Sequence, residues 1–231
     1  MLDIARPPQI VVLDDEQHVP PEPLAHVADD PIRDIRIRIH ARLAAEGADV
    51  VIAQGSEGGG HVGTSMSTMA LVPQAVDLVK PVPVIAAGGI ADGRGLAAAI
   101  MLGAQGVLMG TRFLATVECH ERGHSKDLLL NSLGSQTLAS KFYDDILGIL
   151  WPGSVVRAIK NPILEEWARR PDEWAKEADA LRPALQAAVN HGDFVLAGES
   201  VGLIHEILPA AELVKKIAAE ADRLLGANTP S

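Results

Sequence analysis

Short apolar runs alternate with amphipathic stretches along the first half of the chain. QIVVL (9–13) reads as a short buried strand. DDEQHVPPEPLAHVADDP, up to Pro31, is too rich in proline and acid for a helix and reads as a linker or an irregular loop. From Ile32 to Glu46, Ile35, Ile39 and Leu43 recur every four residues, as on one helical face, and Gly47 follows as a stop. Three strand-like runs come next, DVVIA (49–53), PVPVIAA (81–87) and GVLMG (106–110), separated by the helical patterns LVPQAVDLV (71–79) and GRGLAAAIMLG (93–103). Strand–helix–strand units of roughly 25–30 residues predict parallel strands, adjacent and in sequence order, because crossovers are right-handed.

After Ala115 the rhythm changes. Residues 118–160 are polar and mixed, with Trp151-Pro152-Gly153 as a break. Residues 163–190 form a charged helical pattern interrupted at Pro171 and Pro183, and HGDFVLAGESVGLI supplies another glycine loop. A closing helix over 209–225 has proline in its first turn, where it fits. The expected organisation is an irregular segment 1–31, βα units over 32–117, a mostly helical insertion or outer layer over 118–195, and over 196–231 a loop and helix returning to the βα part.

Composition sharpens this picture. Of 231 residues, 48% are apolar but only 3% aromatic, with 21 glycines, so the core is aliphatic. That suits parallel strands covered by helices. The formal charge of −10 disfavours nucleic acid as a partner, although backbone N–H groups can still hold a single phosphate. A lone cysteine, Cys119, forms no intrachain disulfide and suits a reducing compartment. Neither a signal-peptide pattern nor an apolar run of the roughly 20 residues a bilayer requires is present. The expectation is a cytoplasmic protein with no membrane partner.

Candidate chemistry sits where the strand-like runs end. In parallel α/β proteins the loops after the strands' C-terminal ends face one side and bind ligands. Ala87-Gly88-Gly89 and Gly110-Thr111 leave consecutive strands, so their backbone N–H groups and the Thr111 hydroxyl are placed to hold one phosphate. The alternative for these glycines is tight turns alone. In QGSEGGGHVG (54–63) a histidine, His61, lies among glycines that let a ligand approach. An imidazole there is suited to taking a proton from carbon. Glu57 is expected to be solvated, Gln54 to bond a cofactor or cap the strand, and Trp151, Trp167 and Trp174 to pack an outer helical layer. The remaining histidines lack metal-ligand spacing, so no metal is expected.

These residues carry a resemblance. QGSEGGGHVG, AAGGIADGRGLAAAIMLGAQGVLMGTRFLAT and GESVGLI (198–204), with WP (151–152), NP (161–162) and EEW (165–167), resemble the nitronate monooxygenase family over roughly residues 35–225. The resemblance implies a TIM-barrel-type fold that binds FMN, of which the last strands are present. It implies His61 as catalytic base, Gly88, Gly89, Gly110 and Thr111 around the FMN phosphate, and Gly60 beside the flavin. The implied activity is oxidation of nitronates or nitroalkanes with O2. One departure is Gly58, where many relatives have alanine. A larger one is the family's opening strand with a Pro-Met segment, which has no counterpart here, so a truncated inactive remnant is one alternative. An FMN-dependent enoyl-acyl-carrier-protein or acyl-thioester reductase is another. Open sheet edges would be covered by self-association.

Overall fold

The computed structural model describes residues 10–12, 47–120, 124–151, 153–168 and 170–227. The expected helix over 32–46 and most of the segment 1–31 lie outside the described residues. Within that segment, β1 (Ile10–Val12) falls inside the expected strand 9–13.

β2 (Val50–Gln54), β4 (Val84–Ala87) and β5 (Gly106–Leu108) follow the three apolar runs. With β1 they form a sheet ordered β1-β2-β4-β5, and every neighbour pair is parallel. The expected order and direction of the three strands are therefore observed. Val51, Ile52 and Ala53 are all buried, which explains an uninterrupted apolar run rather than an alternating one: both faces of β2 are covered. α1 (Thr68–Val79) and α2 (Gly93–Met101) are the crossovers. Leu71, Val72, Ala75 and Val79 of α1 close one core against Val51, Ala53, Val84 and Ala86. Asp92 starts α2 by accepting the N–H groups of Arg94 and Gly95.

Beyond β5 come α3 (Thr111–Leu114) and α4 (Ser125–Asn131). The stretch then holds β6 (Thr137–Ser140), α5 (Phe142–Leu147) and β7 (Val155–Ile159), then α6 (Pro162–Trp167) and α7 (Pro171–His191). The two strands were not anticipated. They pair antiparallel with each other, and β7 pairs with β3 (Gly60–Val62), giving a second sheet ordered β3-β7-β6. α7 also corrects the sequence reading, since it runs through Pro183 without a break. Trp174 and Leu185, on either side of that proline, are buried against Phe142, Tyr143 and Ile146. Tertiary packing of this kind overrides the local helix penalty.

The tail closes the structure over the βα part. α8 (Ala210–Ala227) packs on α2, where Glu220 accepts the Gly93 N–H at 2.9 Å. Arg112, buried beside Thr111, donates to the carbonyls of Ala115 and Glu206, both at 3.3 Å, tying α3 to the chain that enters α8. Val195, Ala197, Val201 and Ile204 share a core with Ala91, Ala115 and Ile159.

Candidate functional site

β2, β4 and β5 end on the same side of their sheet, and the three loops leaving them converge. Gly55 N–H donates to the Ala87 carbonyl at 2.9 Å, so the first loop is fixed to the end of β4. Glu57, expected to be solvated, instead fastens the two loops to α1. Its carboxylate accepts the Thr68 backbone N–H at 2.9 Å and the Thr68 hydroxyl approaches it at 3.1 Å. That hydroxyl also lies 2.9 Å from the Gly88 carbonyl. An acid at this helix start satisfies an otherwise orphan donor and matches the helix dipole.

Gly88 and Gly89 have φ of 90° and 73°, a conformation that side chains with a Cβ rarely adopt. A Cβ on Gly88 would also lie 2.8 Å from the Gly55 carbonyl oxygen, so the second loop packs backbone to backbone on the first. Gly110 differs. Its φ is −88° and a Cβ there would meet nothing. Gly110 lines a cavity of about 490 Å³ together with Gly60, Gly88, Gly89 and Thr111, and with Gln54. Five residues singled out from the sequence therefore line one cavity. Leu114, Val189, Phe194 and Leu196 add an apolar part to its wall. The buried Thr111 hydroxyl accepts the Gly198 N–H at 2.9 Å, which brings the tail motif to the same place and leaves the hydroxyl proton free to donate.

His61 is not in an open loop, as the glycines around it suggested. It lies on β3, directly opposite Val156 of β7. It is not among the residues lining the cavity; Gly60, its neighbour in the chain, is. Its Nε2 stands 3.0 Å from Asp144 Oδ2 and 3.2 Å from Oδ1, and the imidazole stacks on Trp151 at 4.2 Å between ring centroids. Trp151 is thus a wall of the histidine site, whereas Trp167 and Trp174 do pack in the helical layer. The His61 side chain keeps 24% of its surface exposed, against 7% for Asp144.

Asp144 is the residue the sequence reading missed. It sits in the first turn of α5, beside Asp145, whose carboxylate accepts the Trp174 indole N–H at 3.1 Å. Burial raises the Asp144 carboxyl above the ordinary aspartate range, and the attraction of His61 only partly offsets this. A carboxyl with a raised folded value binds more protons folded than unfolded, so its contribution to stability is present at low pH and is lost as pH rises through that value. Asp144→Asn removes this titration. Urea unfolding is expected to show the variant gaining stability relative to the parent as pH rises upward from the ordinary aspartate range. A pH-independent difference would contradict the burial argument. Among the described residues no cluster of His, Cys, Asp and Glu is suited to hold a metal ion, and no helix is long and apolar enough to cross a membrane.

The chain matches the family model "Nitronate monooxygenase" over residues 37–220. It is 34% identical over 191 residues to a nitronate monooxygenase of Neurospora crassa, covering 78% of this chain and 50% of that protein. It is 35% identical over 196 residues to a Staphylococcus aureus protein named "Probable nitronate monooxygenase", with 78% and 52% covered. The chain therefore spans about half the length of these curated relatives. Among solved structures, FabK from Thermotoga maritima superposes with a TM-score of 0.70 at 34% identity, covering 83% of this chain and 60% of that one. A nitroalkane oxidase from Streptomyces ansochromogenes gives 0.69 at 30% identity, with 84% and 57% covered. The parallel βα part belongs to the TIM-barrel type of fold.

Proposed function

Because the chain belongs to the nitronate monooxygenase family, we propose that it acts in an FMN-dependent oxidoreductase that oxidises nitronates or nitroalkanes with O2. The observation that carries this reading is the meeting of three strand-end loops on one cavity, with His61 next in the chain to a residue of its wall. Gly88, Gly89, Gly110 and Thr111 are suited to hold the FMN phosphate through backbone N–H groups and one hydroxyl, and Gly60 to lie against the flavin. The Cβ-free space before Gly110 supports that fit. A bound flavin would supply the two-electron redox chemistry between substrate and O2. The protein's own contribution is anchoring, orientation and a base. His61, part exposed and held from two sides, takes the proton from the carbon next to the nitro group. The electron pair of that C–H bond moves into the nitro group as the nitronate forms. The apolar wall of the cavity suits an uncharged alkyl substituent.

Gly110→Asp tests the cradle cleanly. Its side chain enters open space at an ordinary φ, so stability should change by no more than about 0.5 kcal/mol. The added negative charge would face the phosphate. FMN affinity, followed by quenching of flavin fluorescence, is expected to fall by at least about tenfold, equivalent to about 1.4 kcal/mol. Undiminished affinity in a folded variant would move the phosphate elsewhere.

A further inference from the structure

Three elements meet at His61. β3 carries it, the first turn of α5 brings Asp144 to Nε2, and the chain after α5 lays Trp151 on the ring face. Asp144 is buried, and His61 is the one hydrogen-bond donor it has among the described residues. Its neighbour Asp145 holds Trp174, so anchoring of the helical layer does not need Asp144. Burying a carboxylate to brace a single imidazole is expensive, and an apolar side chain would pack the site at less cost. What only a carboxylate does well is fix a proton. An ionised carboxylate accepts and cannot donate, so the nitrogen facing it must carry hydrogen. The other nitrogen, Nδ1, has no hydrogen-bond partner among the described residues.

We propose that Asp144 is the positioning residue of His61: it holds the imidazole in the Nε2-protonated tautomer and leaves Nδ1 as the nitrogen that takes the substrate proton. This rests on His61 being the base. In the step, the substrate C–H bond breaks and the Nδ1–H bond forms. The electron pair stays with the substrate as the nitronate, and the positive charge on the ring lies against the Asp144 carboxylate. The part-exposed ring then returns the proton to solvent. Trp151 keeps the ring from rotating about its side-chain bonds, so the Nδ1 direction is set by stacking and the Nε2 direction by the carboxylate.

Nitrogen-15 NMR of histidine-labelled full-length chain, with His61 assigned through His61→Asn, reads the tautomer directly. The neutral ring is expected to carry its proton on Nε2. In Asp144→Asn the amide N–H2 can donate to Nε2, which drives the proton to Nδ1 and turns the basic nitrogen away from substrate. Losing an orienting carboxylate in this way costs up to about 10⁴ in serine-protease triads. Turnover of a neutral nitroalkane by the FMN-loaded enzyme is expected to fall by about 10²–10³, with KM little changed and a smaller loss on the preformed nitronate. A wild-type ring protonated on Nδ1 overturns the proposal whether or not the variant folds. So does an Asp144→Asn enzyme with wild-type turnover while His61→Asn is dead, a result that leaves the base reading standing. Full activity in His61→Asn would remove the base reading and this inference together.

Discussion

Replacing His61 with asparagine is expected to lower turnover of a neutral nitroalkane by about 10²–10⁴, the usual contribution of a positioned general base. Asparagine keeps polarity but cannot take a proton near neutral pH. The substitution is not free structurally. It ends the stack on Trp151 and weakens the bond that satisfies the buried Asp144 carboxylate. A buried group left without its partner costs about 1–3 kcal/mol, well above the few tenths expected for a side chain in an open loop. Turnover must therefore be measured well below the variant's unfolding temperature, with flavin content checked by absorbance. The internal control is the preformed nitronate, whose α-proton is already gone; its oxidation should suffer much less. Equal turnover of the neutral nitroalkane by parent and variant would reject His61 as the base.

The glycine loops were legible in the sequence because their message is local. A strand-like run followed by Gly-Gly or Gly-Thr requires no knowledge of distant residues. The parallel order of β2, β4 and β5 then brings the loops together by topology alone. The environment of His61 was hidden for the opposite reason. Asp144 lies 83 residues away, on a helix with no chemical signature beyond two adjacent aspartates. β3 is a three-residue strand written Gly-His-Val, and β6 is Thr-Leu-Ala-Ser. Neither carries a strand pattern of its own, and both exist because β7 lies between them. Strand formation of this kind follows packing context more than intrinsic preference. The same holds for Glu57, whose role as the partner of Thr68 depends on where α1 begins.

A large stability effect is expected from a small change, Gly59→Ala. A Cβ on Gly59 would fall against the Gly198 backbone nitrogen and 2.6 Å from the Ala197 carbonyl carbon. Real side chains do not make such contacts, and the atoms in the way are backbone, which cannot rotate aside. The relation is mutual, since a Cβ on Gly198 would lie 2.5 Å from the Glu57 carbonyl oxygen. The loop after β2 and the tail thus touch with no side chain between them. Glu199 N–H donates to the Glu57 carbonyl and Gly198 N–H to the Thr111 hydroxyl, both at 2.9 Å. One methyl group would have to push these segments apart and stretch both bonds. Overpacking alone costs about 1–3 kcal/mol and sometimes more, and each strained hydrogen bond adds about 1 kcal/mol. A loss of about 3 kcal/mol or more is expected in urea unfolding, along with weaker FMN binding, because Gly60 follows directly on the loop that moves and Thr111 is hydrogen-bonded to the tail. Gly110→Ala is the matching control: the same methyl group points into open space and should cost no more than about 0.5 kcal/mol. If Gly59→Ala unfolds at the same urea concentration as Gly110→Ala, the tail does not close on the loop as described. The cavity would then have to be formed without it.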